Sequence, residues 1–194
     1  MRFSFLKPVV AAMALCGTAV MGSLTPQQIA DGLSSMTQKT QALQAPAQSI
    51  TLINAPLIVI GQGPFPQIIY GFNDIVSTGN TLISQLEGTG PIQKRALEAR
   101  GPDADLVFAA FRELSRVSQA TLNILIGKAN ILSSVPVVGE PVATALRGFE
   151  GTIDSIAIAL INLLQVHGND MANDANSLGD TIQLAIQSYQ SLNI

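Results

Sequence analysis

Few side chains in this chain have the chemistry of a catalytic or metal-binding site. Cys16 is the single cysteine and His167 the single histidine. His167 is expected at a helix end, where its charge would complement the helix dipole. Asp170 and Asp174 are spaced i,i+4, but the Asp/Asn-rich stretch around them favours a solvated helix start over a metal site. The sequence also has no Gly-x-Ser-x-Gly nucleophile motif. We therefore expect a protein that is not an enzyme and needs no cofactor or metal.

The first residues have the layout of a secretory signal peptide. Arg2 and Lys7 form a positive n-region, an apolar stretch follows, and small residues end it near Gly22. The apolar stretch is shorter than the roughly 20 residues that a membrane-spanning helix needs. The sequence therefore predicts a signal peptide over 1–22 and a single secreted helical-bundle domain over 23–194, with no transmembrane segment in the mature chain.

Composition limits the classes of partner. Hydrophobic residues make up 47% of the sequence and charged residues 12%, about half the usual charged fraction. Removal of Arg2 and Lys7 leaves eight basic residues against thirteen acidic ones, a net charge of −5. Nucleic acid is excluded, since its binding calls for a basic surface. The surplus of aliphatic residues leaves four outcomes open: an apolar cavity, an exposed apolar patch, oligomerisation, or a large ordinary core.

The spacing of apolar residues, together with the glycines and prolines between the apolar stripes, predicts the helices that carry these hydrophobic residues. Thr25, Pro26 and Gln28 form a capping box with proline at the first helical position. Apolar stripes at helical spacing then predict five long helices, over about 25–45, 66–86, 103–132, 140–166 and 170–192. We expect an all-α fold, an antiparallel bundle of about five long helices with an apolar core or cavity.

Residues 46–60 are harder to assign. They are rich in β-branched and aliphatic types, but Pro56 interrupts them and no second strand is available for pairing. A short buried helix with a break at 54–56 is the preferred prediction.

Glycines inside the predicted helices allow two interpretations. Each weakens a helix by about 1 kcal/mol relative to alanine, which would help the bundle open, or each permits two helices to pack closely. The glycines concerned are Gly71, Gly79, Gly127, Gly148 and Gly151.

The aliphatic surplus suggests a site for a long acyl chain, which gains about 0.8 kcal/mol per buried methylene group. The predicted lining residues, each of which could equally be ordinary core, are Phe72, Ile75, Phe108, Phe111, Leu122, Leu125, Phe149, Ile156 and Leu160. The candidates for holding a lipid head group, each of which could equally be part of a plain polar face, are Ser115, Ser118, Gln119 and Asn123.

Seven segments spread in unbroken order over 25–194 carry a resemblance to a known family: Gln41–Ile50, Asn54–Pro56, Gly61–Ile69, Ala110–Glu113, Leu122–Lys128, Val135–Val142 and Asn176–Thr181. Together they resemble the fungal hydrophobic surface-binding protein A and cell-wall galactomannoprotein family. The resemblance implies a secreted, all-α, five-helix domain. It also implies two activities: fatty-acid binding in an apolar cavity along the bundle, and adsorption to hydrophobic surfaces with recruitment of polyester-degrading hydrolases.

Two functional hypotheses follow, together with one departure from the family. The first is a lipid-binding module whose partner is a long-chain fatty acid or another lipid. The second is a surface-active adhesion protein that coats hydrophobic surfaces, recruits secreted hydrolases and has no discrete cavity. The chain lacks the Ser/Thr-rich stalk and anchor signal of wall-attached members, so free secretion and cell-wall association both stay open.

Overall fold

A computed structural model describes residues 24–54, 57, 60–87, 101–129 and 138–193. The predicted signal peptide lies outside these residues. The described part is helical and contains no strand. Its helices are α1 (Pro26–Ala42), α2 (Gln44–Gln48), α3 (Pro64–Glu87), α4 (Pro102–Ala129), α5 (Gly139–Leu163) and α6 (Gly168–Gln190). Short 3-10 turns at Gln165–His167 and Ser191–Asn193 follow α5 and α6. The prediction of five long helices packed together is confirmed.

The start of α1 shows how the local sequence sets a helix boundary. The Thr25 hydroxyl accepts a hydrogen bond from the Gln28 backbone at 3.2 Å, and the Gln28 side chain accepts one from the Thr25 backbone at 2.9 Å. Both donors would otherwise lack a helical partner. Beyond this capping box, Ile29, Leu33 and Met36 recur at helical spacing and are buried, so one face of α1 is committed to the interior.

The five long helices form a closed ring in the order α1, α3, α5, α6, α4. Helices that follow one another in sequence alternate in direction, as predicted. Three neighbouring pairs of the ring nevertheless run parallel: α1 with α4, α3 with α5, and α4 with α6. Contacts at two levels show the direction of each pair. For α1 with α4 they are Thr40–Thr121 and, just beyond α1, Ile50–Lys128. For α3 with α5 they are Phe72–Phe149 and Gly79–Ile156, and for α4 with α6 they are Arg112–Asp174 and Leu125–Tyr189.

The predicted antiparallel arrangement is therefore wrong for these three neighbouring pairs. Among the described long helices, only α1 with α3 and α5 with α6 combine sequence order with antiparallel packing. A ring with an odd number of members cannot alternate in direction throughout. In addition, α4 is joined to the helices on either side by residues 88–101 and 130–138, which are long enough to cross the end of a bundle.

The prediction of a buried helix over 46–60 is wrong for the described residues that follow Ile50, while 55–56 and 58–59 lie outside the described residues. Helix α2 ends at Gln48 and Ile50 is buried, but Leu52, Ile53, Leu57 and Ile60 are exposed. The chain instead turns across the end of the bundle. It enters α3 through Gly61 and Gly63, whose φ angles of 71° and 85° suit glycine.

The inward-facing side chains of the described helices form a continuous cluster of buried apolar residues. All five long helices contribute to it, with Phe72, Phe111 and Phe149 among its largest fully buried members. No helix in the described ranges is long and apolar enough to cross a membrane.

Candidate functional site

The structure places eight of the nine predicted lining residues in the buried interior. They are Phe72, Ile75, Phe111, Leu122, Leu125, Phe149, Ile156 and Leu160. They come from α3, α4 and α5, and the rings of Phe72 and Phe149 meet with centroids 5.3 Å apart and planes tilted by 57°. Sequence periodicity thus brought together residues that share one interior.

Phe108 lies at the edge of the core and is only half buried. Its ring stacks on His167 at a centroid distance of 4.5 Å, and the guanidinium of Arg112 lies 4.4 Å from the same ring. His167 Nε2 is 2.8 Å from Asp105 Oδ1, and Arg112 Nε is 3.0 Å from Asp174 Oδ2. These contacts fasten the start of α4 to the junction between α5 and α6. Phe108 is therefore placed to hold helices together at the margin of the core.

Buried polar groups in the described residues are hydroxyls, and most of them are satisfied locally. The set is Thr37, Thr40, Ser115, Ser118, Thr121 and Thr152. Each of the four threonines donates to the carbonyl oxygen four residues earlier, at distances of 2.8–3.0 Å. Such a bond lets a hydroxyl lie in an apolar interior without loss of its partner.

Ser115 and Ser118 are different. Their side chains are 4% and 0% exposed, and neither Oγ has a hydrogen-bond partner in the part of the chain that the structure describes. The two residues follow Phe111 by four and seven positions, so they share its inward face on α4. A buried hydroxyl without a partner costs about 1–3 kcal/mol. The pair is thus an uncompensated polar spot in an otherwise apolar interior.

The hydroxyl pair lies near the middle of the bundle. Ser118 is about one turn before Thr121, and Thr121 donates to the carbonyl oxygen of Thr40 on α1 at 3.3 Å. Met36 is one turn before Thr40, so Met36 and Ser118 lie at the same level. Met36 Cε in turn lies against Gly79 of α3. A flexible side chain therefore fills the interior at the level of the two serines.

The other two head-group candidates lie outside this interior. Gln119 is half buried and donates to Ser177 Oγ at 2.8 Å, across the seam between α4 and α6. Asn123 is exposed. Only the two serines are therefore brought into one place with the lining residues.

Every lysine, arginine and histidine side chain of the described residues already has a partner away from the two serines. The pairs are Lys39–Asp74, Arg112–Asp174, Arg116–Glu113, Arg147–Glu140, His167–Asp105 and Lys128 with the carbonyl oxygen of Ile50. The hydrogen bonds from Arg116 and Arg147 lower the pKa values of Glu113 and Glu140. The hydroxyl pair thus has no counter-charge from this part of the chain.

Burial also perturbs one tyrosine of α6. The pKa of Tyr189 is raised well above its usual value by desolvation. Its hydroxyl donates to the carbonyl oxygen of Leu125 at 3.1 Å, which satisfies the one polar group that this large side chain brings into the core.

The connection between α2 and α3 forms a second feature, which the sequence interpretation missed. Leu52, Ile53, Leu57 and Ile60, called the apolar tip below, are 51%, 89%, 37% and 65% exposed. The sequence did contain a signal, since no Asp, Glu, Lys, Arg or His occurs between Lys39 and Asp74.

Local hydrogen bonds hold the backbone of the apolar tip. Asn54 Oδ1 accepts from the Thr51 backbone at 2.8 Å, and Asn54 Nδ2 donates to the Ser49 carbonyl oxygen at 2.7 Å. The Leu57 carbonyl oxygen accepts from the Gln62 backbone at 2.9 Å. These bonds pair several backbone groups of the turn locally, while its four aliphatic side chains are exposed.

No family model, curated protein or solved structure matches this chain.

Two grooves between neighbouring helices are open to solvent and differ in their lining. The groove between α1 and α3 has a volume of about 330 Å³, but hydroxyl and amide side chains such as Ser35, Thr81 and Gln28 line most of it. The groove between α5 and α6 near Ile158 is about 270 Å³ and includes Asp154. The first groove offers few apolar side chains to an acyl chain, whereas alanine and isoleucine side chains line most of the second.

Proposed function

We propose that this chain is a secreted, non-enzymatic lipid-binding protein of the fungal family that it resembles, and that a long-chain fatty acid or similar lipid lies inside its helical ring. The observation that carries the proposal is the pair Ser115 and Ser118, two buried hydroxyls without a partner among the described residues. Evolution of a plain core would favour alanine there, because each unpaired hydroxyl is destabilising. A ligand oxygen would supply the missing hydrogen bonds.

The surrounding side chains suit the rest of such a ligand. Phe111 and Leu122 flank the serines on α4, and Phe72 and Phe149 lie deeper between α3 and α5. An acyl chain would have to displace Met36 and further buried side chains, and would exchange one set of apolar contacts for another. Methionine is unbranched and adapts to such changes at low cost.

Native mass spectrometry of the protein, purified from an exporting host without delipidation, tests the proposal. The expected result is one added mass per chain that fits a single lipid and is lost on solvent extraction. A bare mass that persists after incubation with long-chain fatty acids would refute lipid binding. The double variant Ser115→Ala, Ser118→Ala should bind less lipid, while Ser155→Ala, at an exposed helix position, serves as the matched control.

Surface adsorption is the second candidate function, and the apolar tip favours it. Four exposed aliphatic side chains lie in one connection, where Thr51, Leu57 and Gln62 make local backbone hydrogen bonds. An apolar solid offers aliphatic contact and no hydrogen bonds. The exposed side chains would gain that contact, and the bonds that Asn54 and Leu57 make within the turn would remain in place. In this function the chain would coat a hydrophobic surface, and secreted hydrolases would be its partners there.

Adsorption to octadecyl-coated beads separates this function from lipid binding, since adsorption scales with bead area whereas a cavity saturates near one ligand per chain. Full burial of one isoleucine is worth about 1.5–3 kcal/mol, so Ile53→Asn should weaken adsorption by about tenfold or more. Ile158→Asn is the matched control, because Ile158 is 62% exposed on α5 and lies outside the tip. An equal loss of adsorption in both variants would show that the apolar tip is not the surface that contacts the beads.

A further inference from the structure

The chemistry around Ser115 and Ser118 limits which lipid head group can lie there. Both groups are neutral hydroxyls, and the buried polar side chains of the described helices include no charged residue. The interior offers hydrogen bonds to a ligand but no compensating charge. Burial of an ionised group without a counter-charge is far more costly than burial of a neutral polar group.

The spacing of the two serines sets the shape of the polar group that they can hold. Residues three apart on a helix have Cβ atoms about 5–6 Å apart. One oxygen between the two hydroxyls can therefore reach both at ordinary hydrogen-bond length. A hydroxyl can donate or accept, so a carbonyl oxygen or an alcohol oxygen satisfies the pair equally well.

The cations of the described residues cannot supply the missing charge without breaking existing contacts. The nearest in sequence are Arg112 and Arg116 on α4, and both are engaged with carboxylates at the surface. Lys128, further along α4, donates to the carbonyl oxygen of Ile50 at 3.0 Å. A carboxylate at the serine pair would stay uncompensated.

From this arrangement we infer that the site prefers lipids with an uncharged head, such as a long-chain alcohol or an ester, over an ionised fatty acid. The inference rests on the proposed lipid binding and narrows its ligand class. The two serines select the ligand through hydrogen bonds to a single neutral oxygen. The acyl chain extends from that oxygen among the apolar side chains of α3, α4 and α5.

A chain-matched pair of ligands tests this preference: dodecanol and dodecanoate at pH 7.5, where a carboxylic acid is ionised. Their affinities are measured on the full-length secreted protein by titration calorimetry. The expected result is at least about tenfold tighter binding of the alcohol. Equal or tighter binding of dodecanoate would overturn the inference but leave lipid binding intact. Binding of neither ligand would refute the proposed function itself.

Serine variants show whether the preference comes from this site. In the double variant Ser115→Ala, Ser118→Ala, dodecanol should bind about tenfold more weakly and the difference between the two ligands should shrink. Ser155→Ala should retain both the affinity and the preference, because Ser155 is exposed and bonded to the Gly151 carbonyl oxygen. A double variant that keeps the full preference would show that other groups select the head group. Circular dichroism checks that each variant is folded.

Discussion

Replacement of Ser118 by alanine should stabilise the ligand-free protein while it weakens lipid binding. The hydroxyl is fully buried and has no partner among the described residues, so its removal recovers about 1–3 kcal/mol of desolvation free energy. Alanine adds about 0.5 kcal/mol of helix propensity, and the small void left by one oxygen costs about 0.3 kcal/mol. The sum is a gain of about 2 kcal/mol in the free energy of unfolding.

Thermal unfolding of the delipidated protein, followed by circular dichroism, measures this gain. At about 2–4 °C per kcal/mol for a chain of this size, Ser118→Ala should raise Tm by about 4–8 °C. Ser155→Ala is the reference, since it combines the propensity change with loss of an exposed hydrogen bond to the Gly151 carbonyl oxygen. A Tm for Ser118→Ala equal to or below that of Ser155→Ala would refute the reasoning. It would mean that the Ser118 hydroxyl is hydrogen-bonded in solution, for instance to the carbonyl oxygen of Leu114.

Two further variants test the packing of the ring. Gly79→Ala should lower the unfolding free energy in urea by about 1–3 kcal/mol, because its Cβ would overlap Thr152 Cγ2 and lie 3.1 Å from Met36 Cε. Gly151→Ala, with nothing within 4 Å of its Cβ, should instead gain about 1 kcal/mol, and changes of equal sign would contradict the structure. Burial raises the pKa of Tyr189, so the unfolded chain loses that proton first and stability should fall as pH rises above about 10. Tyr189→Phe should flatten this alkaline decline in Tm, and an unchanged slope would contradict the assignment.

The glycines show what sequence could not decide. Both interpretations, helix weakening and close packing, were open for every helical glycine. In the structure, Gly71 lies against Leu43 and Gly79 against Thr152, so neither has room for a side chain. At Gly127 no atom lies within 4 Å of the position that a Cβ would occupy, so there the effect is on the helix alone. Whether a glycine permits close packing depends on the neighbouring segment in the fold, which is distant from the glycine in sequence.

Helix existence and the buried face of each long helix could be predicted, because amphipathic periodicity reports directly which side faces the core. The same reasoning separates Ser115 and Ser118, which share the face of Phe111, from Asn123, which lies about a third of a turn outside it and is exposed. Periodicity could not show that the two hydroxyls lack partners. That property depends on side-chain rotamers and on the facing helices.

The connection before α3 could not be predicted because a turn has no period. Aliphatic residues there, such as Ile53 and Ile60, look like core by type. Their exposure follows from the way that Asn54 ties the turn across the end of the bundle, a tertiary placement that residue types alone do not encode.

The odd number of helices places the two ends of the described chain far apart. Helix α1 begins at the end of the ring opposite the apolar tip, about 25 Å away along its 17 residues. Helix α6 runs parallel to α4 and finishes at the tip end. A protein held by a tether before α1 therefore presents the tip outward, whereas a fusion after α6 stands beside the tip and shields it. The end of the domain chosen for immobilisation thus determines whether the apolar tip is accessible to a surface or a partner in the assay.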